Sequence, residues 1–244
     1  MPNLKDLKIK IFADGADLKM MIEQYKGNLI KGFTTNPTLM NKNGITDYES
    51  FAKEVLKNIS DRPISFEVFS DEFDDMERQA RKIAAWGSNI TVKIPITNTK
   101  EQSSIPLIKK LSGEGLSLNI TAILTTEQVK LVKEVLNPNI YNIVSVFAGR
   151  IADTGRDPMS YMMESAKILK PLSNTDLLWA SSRELLNIFQ AEASGCQIIT
   201  VTNDILKKLA MLDKDLGELS LDTVKIFYED ACQAGFKIES KTPV

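Results

Sequence analysis

The chain has no histidine among its 244 residues. That absence removes Ser-His-Asp and Cys-His nucleophile systems. It also removes the His-rich zinc sites of metal-dependent aldolases and hydrolases. Any proton transfer is left to Asp, Glu, Lys, Tyr or bound water. Cysteine is scarce too. Cys196 and Cys232 make no metal-spaced motif and read as buried or free thiols of a reducing compartment. No apolar run reaches the roughly 18 residues that a membrane span needs. The opening Met1-Pro2-Asn3-Leu4-Lys5-Asp6 lacks the basic-then-apolar profile of a signal peptide, so a cytoplasmic protein is expected. Net charge is small, −2, with a sequence pI near 5.5, which gives no footprint for nucleic acid or an anionic membrane surface. Neither G-x-G-x-x-G nor G-x-x-x-x-G-K-[ST] occurs, and Gly113-Glu114-Gly115 reads as a turn.

What the chain has is alternation. Apolar residues are 43% and charged residues 25%, ordinary values for a globular protein. Eight β-like runs recur: Leu7–Ala13, Leu29–Thr34, Ile64–Phe69, Ile90–Ile94, Leu116–Ile123, Ile140–Phe147, Asp176–Ala180 and Gln197–Val201. Helical periodicity and caps fill the intervals. Thr46-Asp47-Tyr48-Glu49 has the spacing of a capping box ahead of a stripe through Phe51, Val55, Leu56 and Ile59. Ser70 is placed to cap a helix through Phe73, Met76, Ile83 and Trp86, with Gly87 at its end. Thr125 with Gln128 and Asp157 with Pro158 mark two more starts. Strands alternating with helices mean parallel pairing and right-handed crossovers. Eight such units in this length predict a (β/α)₈ TIM barrel, a single domain over 1–244. Asn203–Leu212 looks helical, and Leu219–Ala234 is a further amphipathic helix with Val224, Phe227 and Ala231 on one stripe. This C-terminal extension, 213–244, is either a cap across the barrel or an arm for a neighbouring subunit.

One residue breaks the apolar pattern. Lys93 lies inside Asn89-Ile90-Thr91-Val92-Lys93-Ile94-Pro95-Ile96, where a buried parallel strand would be apolar nearly throughout. A lysine there must reach water, find a partner or lose its proton, and a neutral amine attacks carbonyls. The plain alternative is a lysine snorkelling from a strand end. The other odd polar residues fall at strand ends, where barrel chemistry sits: Asp14; Thr34 and Asn36; Glu67; Asn119 and Thr121, two apart and so on one side; Ser145 and Phe147, with Arg150 just beyond; Ser181 and Arg183. Each has a structural reading alone, as a helix cap, a turn or a surface charge. Together they suggest two clusters. Lys93 with two carboxylates suits attack on a carbonyl. Arg150, Ser181 and Arg183 suit a phosphate monoester.

Five stretches in order carry a resemblance: Gly32-Phe33-Thr34-Thr35-Asn36-Pro37-Thr38, Val92-Lys93-Ile94-Pro95, Asn119-Ile120-Thr121-Ala122, Ser145-Val146-Phe147-Ala148-Gly149-Arg150-Ile151-Ala152-Asp153 and Ala180-Ser181-Ser182-Arg183. With them the chain resembles the small single-barrel branch of the transaldolases, which includes fructose-6-phosphate aldolases. The resemblance implies a class I transaldolase of the pentose phosphate pathway, with no metal or organic cofactor, acting on sugar phosphates; the extra C-terminal helix, read as an arm, makes a homo-oligomer the expectation. It implies Lys93 as the Schiff-base lysine and Asp14 as the acid–base at the C4 hydroxyl. Glu67 and Thr121 would hold a catalytic water. Thr34, Asn36, Asn119 and Ser145 would contact substrate hydroxyls, and Arg150, Ser181 and Arg183 the phosphate. Within the branch, Glu67 and Phe147 resemble transaldolases; aldolases that release free dihydroxyacetone tend to have Gln and Tyr there. That aldolase activity and a non-catalytic phosphosugar-binding barrel are the alternatives.

Overall fold

The computed structural model describes residues 7–238, which form two compact units, 7–206 and 207–238. The Met1–Asp6 segment, read above for targeting, lies outside the described residues, as does the end of the 213–244 extension.

The first unit is a closed parallel barrel in which strands follow one another in chain order. The strands are β1 (Lys10–Asp14), β2 (Ile30–Thr34), β3 (Ile64–Glu67), β4 (Ile90–Pro95), β5 (Leu118–Ile123), β6 (Asn142–Val146), β7 (Thr175–Trp179) and β8 (Ile198–Thr202). The helices between and after them are α1 (Leu18–Lys26), α2 (Pro37–Lys42), α3 (Tyr48–Asn58), α4 (Phe73–Ala84), α5 (Ile105–Gly113), α6 (Thr126–Lys133), α7 (Ala148–Ala152), α8 (Pro158–Leu169), α9 (Leu186–Ala193) and α10 (Asn203–Lys207). The expected (β/α)₈ fold is therefore present, with each predicted run containing its strand to within a few residues. β8 pairs with β1 from Lys10↔Ile198 to Asp14↔Thr202, which closes the ring.

Side chains that point away from the barrel axis on β3, β4 and β5, such as Phe66, Val92, Ile94 and Ile120, are fully buried under the helices. Those that point inward form two halves. Phe12, Ile143, Leu178 and Ile198 pack together as an apolar half. Gly32 makes room for it, since a Cβ there would stand 2.5 Å from the Phe12 ring. Ser65, Thr91, Asn119 and Ser145 form a polar half, joined by Ser65–Thr91 (2.6 Å), Asn119 to Ser65 (3.0 Å) and Ser145 to Asn119 (2.6 Å) hydrogen bonds. Branched apolar residues usually fill such an interior. Every polar atom added here has to be paired, and the chain of bonds does that while forming a polar floor.

Two caps differ from expectation. α3 is capped by Asp47, whose carboxylate accepts from Ser50 N at 3.0 Å, and not by Thr46. α4 starts after Glu72, with no side-chain cap, and not at Ser70. A carboxylate one residue on competes equally well for the same backbone donors. Ser70 N and Phe69 N are instead bonded by Gln79 Oε1. The Thr125–Gln128 capping box and the Asp157–Pro158 start of α8 form as read.

In the second unit a 3₁₀ turn (Lys208–Met211) precedes α11 (Leu216–Ala234). Asp215 caps α11 by accepting from Gly217 N and Glu218 N, Lys214 pairs with Asp222, and Gly235 ends the helix at φ 66°. Among the described residues no helix is long and apolar enough to cross a membrane.

Candidate active site

A cavity of about 420 Å³ opens at the carboxyl ends of the strands. Ten of the residues singled out in the sequence line it: Asp14, Thr34, Asn36, Glu67, Lys93, Thr121, Ser145, Phe147, Arg150 and Ser181. Asn119 and Arg183 do not. Asn119 lies one layer deeper than Thr121 on β5, fully buried, with its side chain used up by Ser65 and Ser145. Arg183 is exposed and forms a forked pair with Asp153, Nε to Oδ1 at 3.1 Å and Nη2 to Oδ2 at 2.5 Å. That pair holds the Asp153 carboxyl below its ordinary range.

Lys93 is 6% exposed, and its amine projects inward from β4. Two acceptors hold it: Glu67 Oε2 at 3.0 Å and the Thr35 carbonyl at 2.9 Å. Glu67 and Lys93 are register partners on adjacent strands, so the backbone sets that pair. Breaking such a partly buried pair would leave one uncompensated charge. Asp14 faces the same space from β1. Burial raises its pKa, and the attraction of Lys93 and a 2.7 Å hydrogen bond from Thr34 Oγ1 offset only part of that rise. A ligand that displaces cavity water would strengthen the upward push.

Thr121 Oγ1 is buried and has no protein partner. It faces the cavity beside Glu67 and Lys93, and a hydroxyl so placed has capacity left for water or a ligand. Ala122, the next residue, has φ 60°, where β5 and β6 slip register. Ser181 also has φ 60°. Left-handed backbone at non-glycine residues costs of order 1 kcal/mol each and gathers at functional sites.

Arg150 lines the same cavity from α7, its guanidinium carbon 5.8 Å from the Phe147 ring centre. The turn bearing Ser181 packs on the start of α7 with no gap. A Cβ on Gly149 would lie 1.6 Å from the Ser181 carbonyl oxygen. Gly149→Ala must push these backbones apart. It is expected to cost at least about 2 kcal/mol in urea unfolding; a loss under about 0.5 kcal/mol would mean the contact yields easily.

Three contributors were not among the site residues singled out in the sequence. The Thr35 carbonyl is a backbone atom. Tyr48 opens a helix, and its hydroxyl bonds to the backbone of Glu67. Thr200 sits in the apolar run of β8 and bonds Thr34 Oγ1 at 2.5 Å. Since Thr34 donates to Asp14, the hydrogen in that second bond comes from Thr200. An inward-facing threonine in a largely apolar strand was the one available hint. Among the described residues no three His, Cys, Asp or Glu side chains gather closely enough to hold a metal ion.

Comparison with known proteins agrees with this architecture. A profile of the Transaldolase/Fructose-6-phosphate aldolase family matches residues 11–241. A "Probable transaldolase" of Thermoplasma volcanium is 36% identical over 204 residues, covering 82% of this chain and 87% of its own. One of Dehalococcoides mccartyi is 33% identical over 202 residues, covering 82% and 90%. One of Thermoanaerobacter sp. is 32% identical over 231 residues, covering 94% and 100%.

Proposed function

The chain belongs to the transaldolase/fructose-6-phosphate aldolase family, and from that premise we propose that it is a class I transaldolase. It moves a dihydroxyacetone unit from a ketose phosphate, such as sedoheptulose 7-phosphate or fructose 6-phosphate, to an aldose phosphate. The observation that carries this reading is the Lys93 amine. It is buried in a strand, held by Glu67 and the Thr35 carbonyl, and turned toward a cavity that Asp14 also faces.

The chemistry follows from those neighbours. Glu67, 3.0 Å from Nζ, is the nearest base for the proton the amine must shed before it attacks. The amine adds to the ketose C2 carbonyl and water leaves, giving an iminium that serves as an electron sink. Asp14 takes the C4 hydroxyl proton. The C3–C4 bond breaks, its electrons pass into the iminium, and an aldose phosphate departs from the enamine that remains. Attack of the enamine on a second aldehyde, with Asp14 returning the proton, completes transfer. Water held near Glu67 and the unpartnered Thr121 hydroxyl hydrolyses the imine. In this mechanism Arg150 and Ser181, which line the cavity, bind the phosphate. Arg183, tied to Asp153, would join them only by giving up that pair.

Phe147 favours transfer over release, because its ring offers no hydroxyl to orient water at the enamine. In a coupled assay fructose 6-phosphate alone should release triose slowly, and adding an aldose phosphate acceptor should raise turnover at least tenfold. Phe147→Tyr should increase release without acceptor severalfold. Fast release by the unaltered protein would assign it instead as an aldolase giving free dihydroxyacetone. Tight sugar-phosphate binding with no turnover would indicate a binding barrel.

A further inference from the structure

We infer that Tyr48 is a positioning residue for the Lys93 amine, acting through the backbone where β2 and β3 part. The inference rests on the proposed function for its kinetic readout, but the geometry stands by itself.

A regular parallel ladder between β2 and β3 would alternate donors and acceptors evenly. It runs through Phe33↔Ile64 and Thr34↔Ser65, and Thr35 N still donates to the Ser65 carbonyl at 3.1 Å. The next two bonds would be Glu67 N to the Thr35 carbonyl, then the amide of residue 37 to the Glu67 carbonyl. Neither is made. Residue 37 is proline and has no N–H to give. The Thr35 carbonyl is turned to Lys93 Nζ, 2.9 Å away. On the opposite side β3 remains in register with β4 as far as Glu67↔Lys93. Glu67 is thus left with a donor and an acceptor unpaired on its β2 side, at the lip of the cavity.

The Tyr48 hydroxyl fills both places. It accepts from Glu67 N at 2.8 Å and donates to the Glu67 carbonyl at 2.8 Å. One oxygen therefore stands in for the strand that has left. Two consequences meet at Lys93. The Thr35 carbonyl is free of ladder duty and can hold the amine. The end of β3 is pinned, which fixes where the Glu67 carboxylate meets the same amine. The Tyr48 ring packs among aromatic neighbours, tilted against Phe69 at 5.4 Å and Trp86 at 6.0 Å between ring centres, while its place is set by the two Glu67 bonds.

Without the hydroxyl, Glu67 N would compete for its regular ladder partner, the Thr35 carbonyl. Lys93 would then lose one of its two anchors. Tyr48→Phe keeps the ring and removes the hydroxyl that bridges Glu67 N and O. The expected result is a fall in kcat of tenfold or more per folded molecule, with KM for the donor sugar changed less than twofold, because Tyr48 does not line the cavity. Trp86→Phe serves as the packing control: it loosens the same aromatic cluster, lowers thermal stability and leaves kcat within twofold. 4-Aminophenylalanine at position 48 restores a donor at the same reach and should recover most of the lost rate; it also covers the case in which Tyr48→Phe folds poorly. Reductive methylation by formaldehyde and cyanoborohydride, mapped by mass spectrometry, reads the reactivity of the Lys93 amine whatever the natural substrate. Labelling of Lys93 should slow at least threefold in Tyr48→Phe while surface lysines are unchanged. If the labelling changes but the unaltered protein turns over no ketose phosphate, the positioning role stands and the proposed function fails. If kcat and labelling of Tyr48→Phe both stay within twofold, or Trp86→Phe loses as much of each, the inference is overturned.

Discussion

Borohydride added with fructose 6-phosphate is expected to leave a stable adduct on Lys93, and both Lys93→Met and Lys93→Arg are expected to lose turnover by roughly 10⁴-fold or more. The two variants separate the two things a buried lysine can do. Methionine removes charge and nucleophile while keeping most of the volume. Arginine keeps the positive charge beside Glu67 but offers no attacking amine at any accessible pH. If Lys93 served only to neutralise Glu67, arginine would retain much of the activity. The proposed mechanism demands equal loss. Stability should diverge: methionine leaves the Glu67 carboxylate without its 3.0 Å partner, so its unfolding midpoint should fall more than that of arginine. An adduct on any other lysine, or more than about 1% residual activity in either variant, would remove Lys93 from the chemistry.

Why Lys93 stood out in the sequence, and some of its neighbours did not, has a physical basis. The alternation of apolar runs with capped helices reports directly on parallel pairing, so the barrel was legible. Strand ends were legible because apolar runs stop there, and polar residues at period two from an inward position must face the axis. Depth was not. Asn119 and Thr121 share a side of β5, but only the closed ring shows that Asn119 lies beneath the cavity in a hydrogen-bonded floor. Arg183 has the charge for an anion site, yet Asp153, at the end of α7, reaches it first. Such a contact between separate loops leaves no spacing to read. The anchors of the amine were the least legible, since a carbonyl of Thr35 and a hydroxyl that bridges backbone atoms of Glu67 carry no sequence pattern. A proline at position 37 was visible all along. Its effect on the β2–β3 ladder shows only once Glu67 is seen opposite it.

Asp14→Asn is expected to make the protein less active and more stable at neutral pH, a combination that separates a working carboxylate from a structural one. Burial raises the Asp14 pKa above its usual value, so its ionised form is disfavoured in the folded state. A raised carboxyl pKa contributes stability that is full below the unfolded value, about 3.8, and is lost as pH rises through the folded value. Above that pH the native state carries a disfavoured charge, which asparagine does not have. Its amide oxygen can still accept from Thr34, the bond made at 2.7 Å in the native side chain. The variant should therefore unfold about 2–4 °C higher at neutral pH, the shift that ~1 kcal/mol gives a domain of this size, and the gain should vanish under acid conditions. Activity moves the other way. Asparagine cannot take the C4 hydroxyl proton, so kcat should drop by roughly 10²–10⁴-fold. Imine formation does not need Asp14, so borohydride should still trap the donor sugar on Lys93. In the unaltered protein the acid limb of kcat/KM should lie above the ordinary aspartate range. Near-normal turnover in Asp14→Asn would sink the acid–base assignment. Lost trapping would place Asp14 at the imine step, before the carbon–carbon bond breaks.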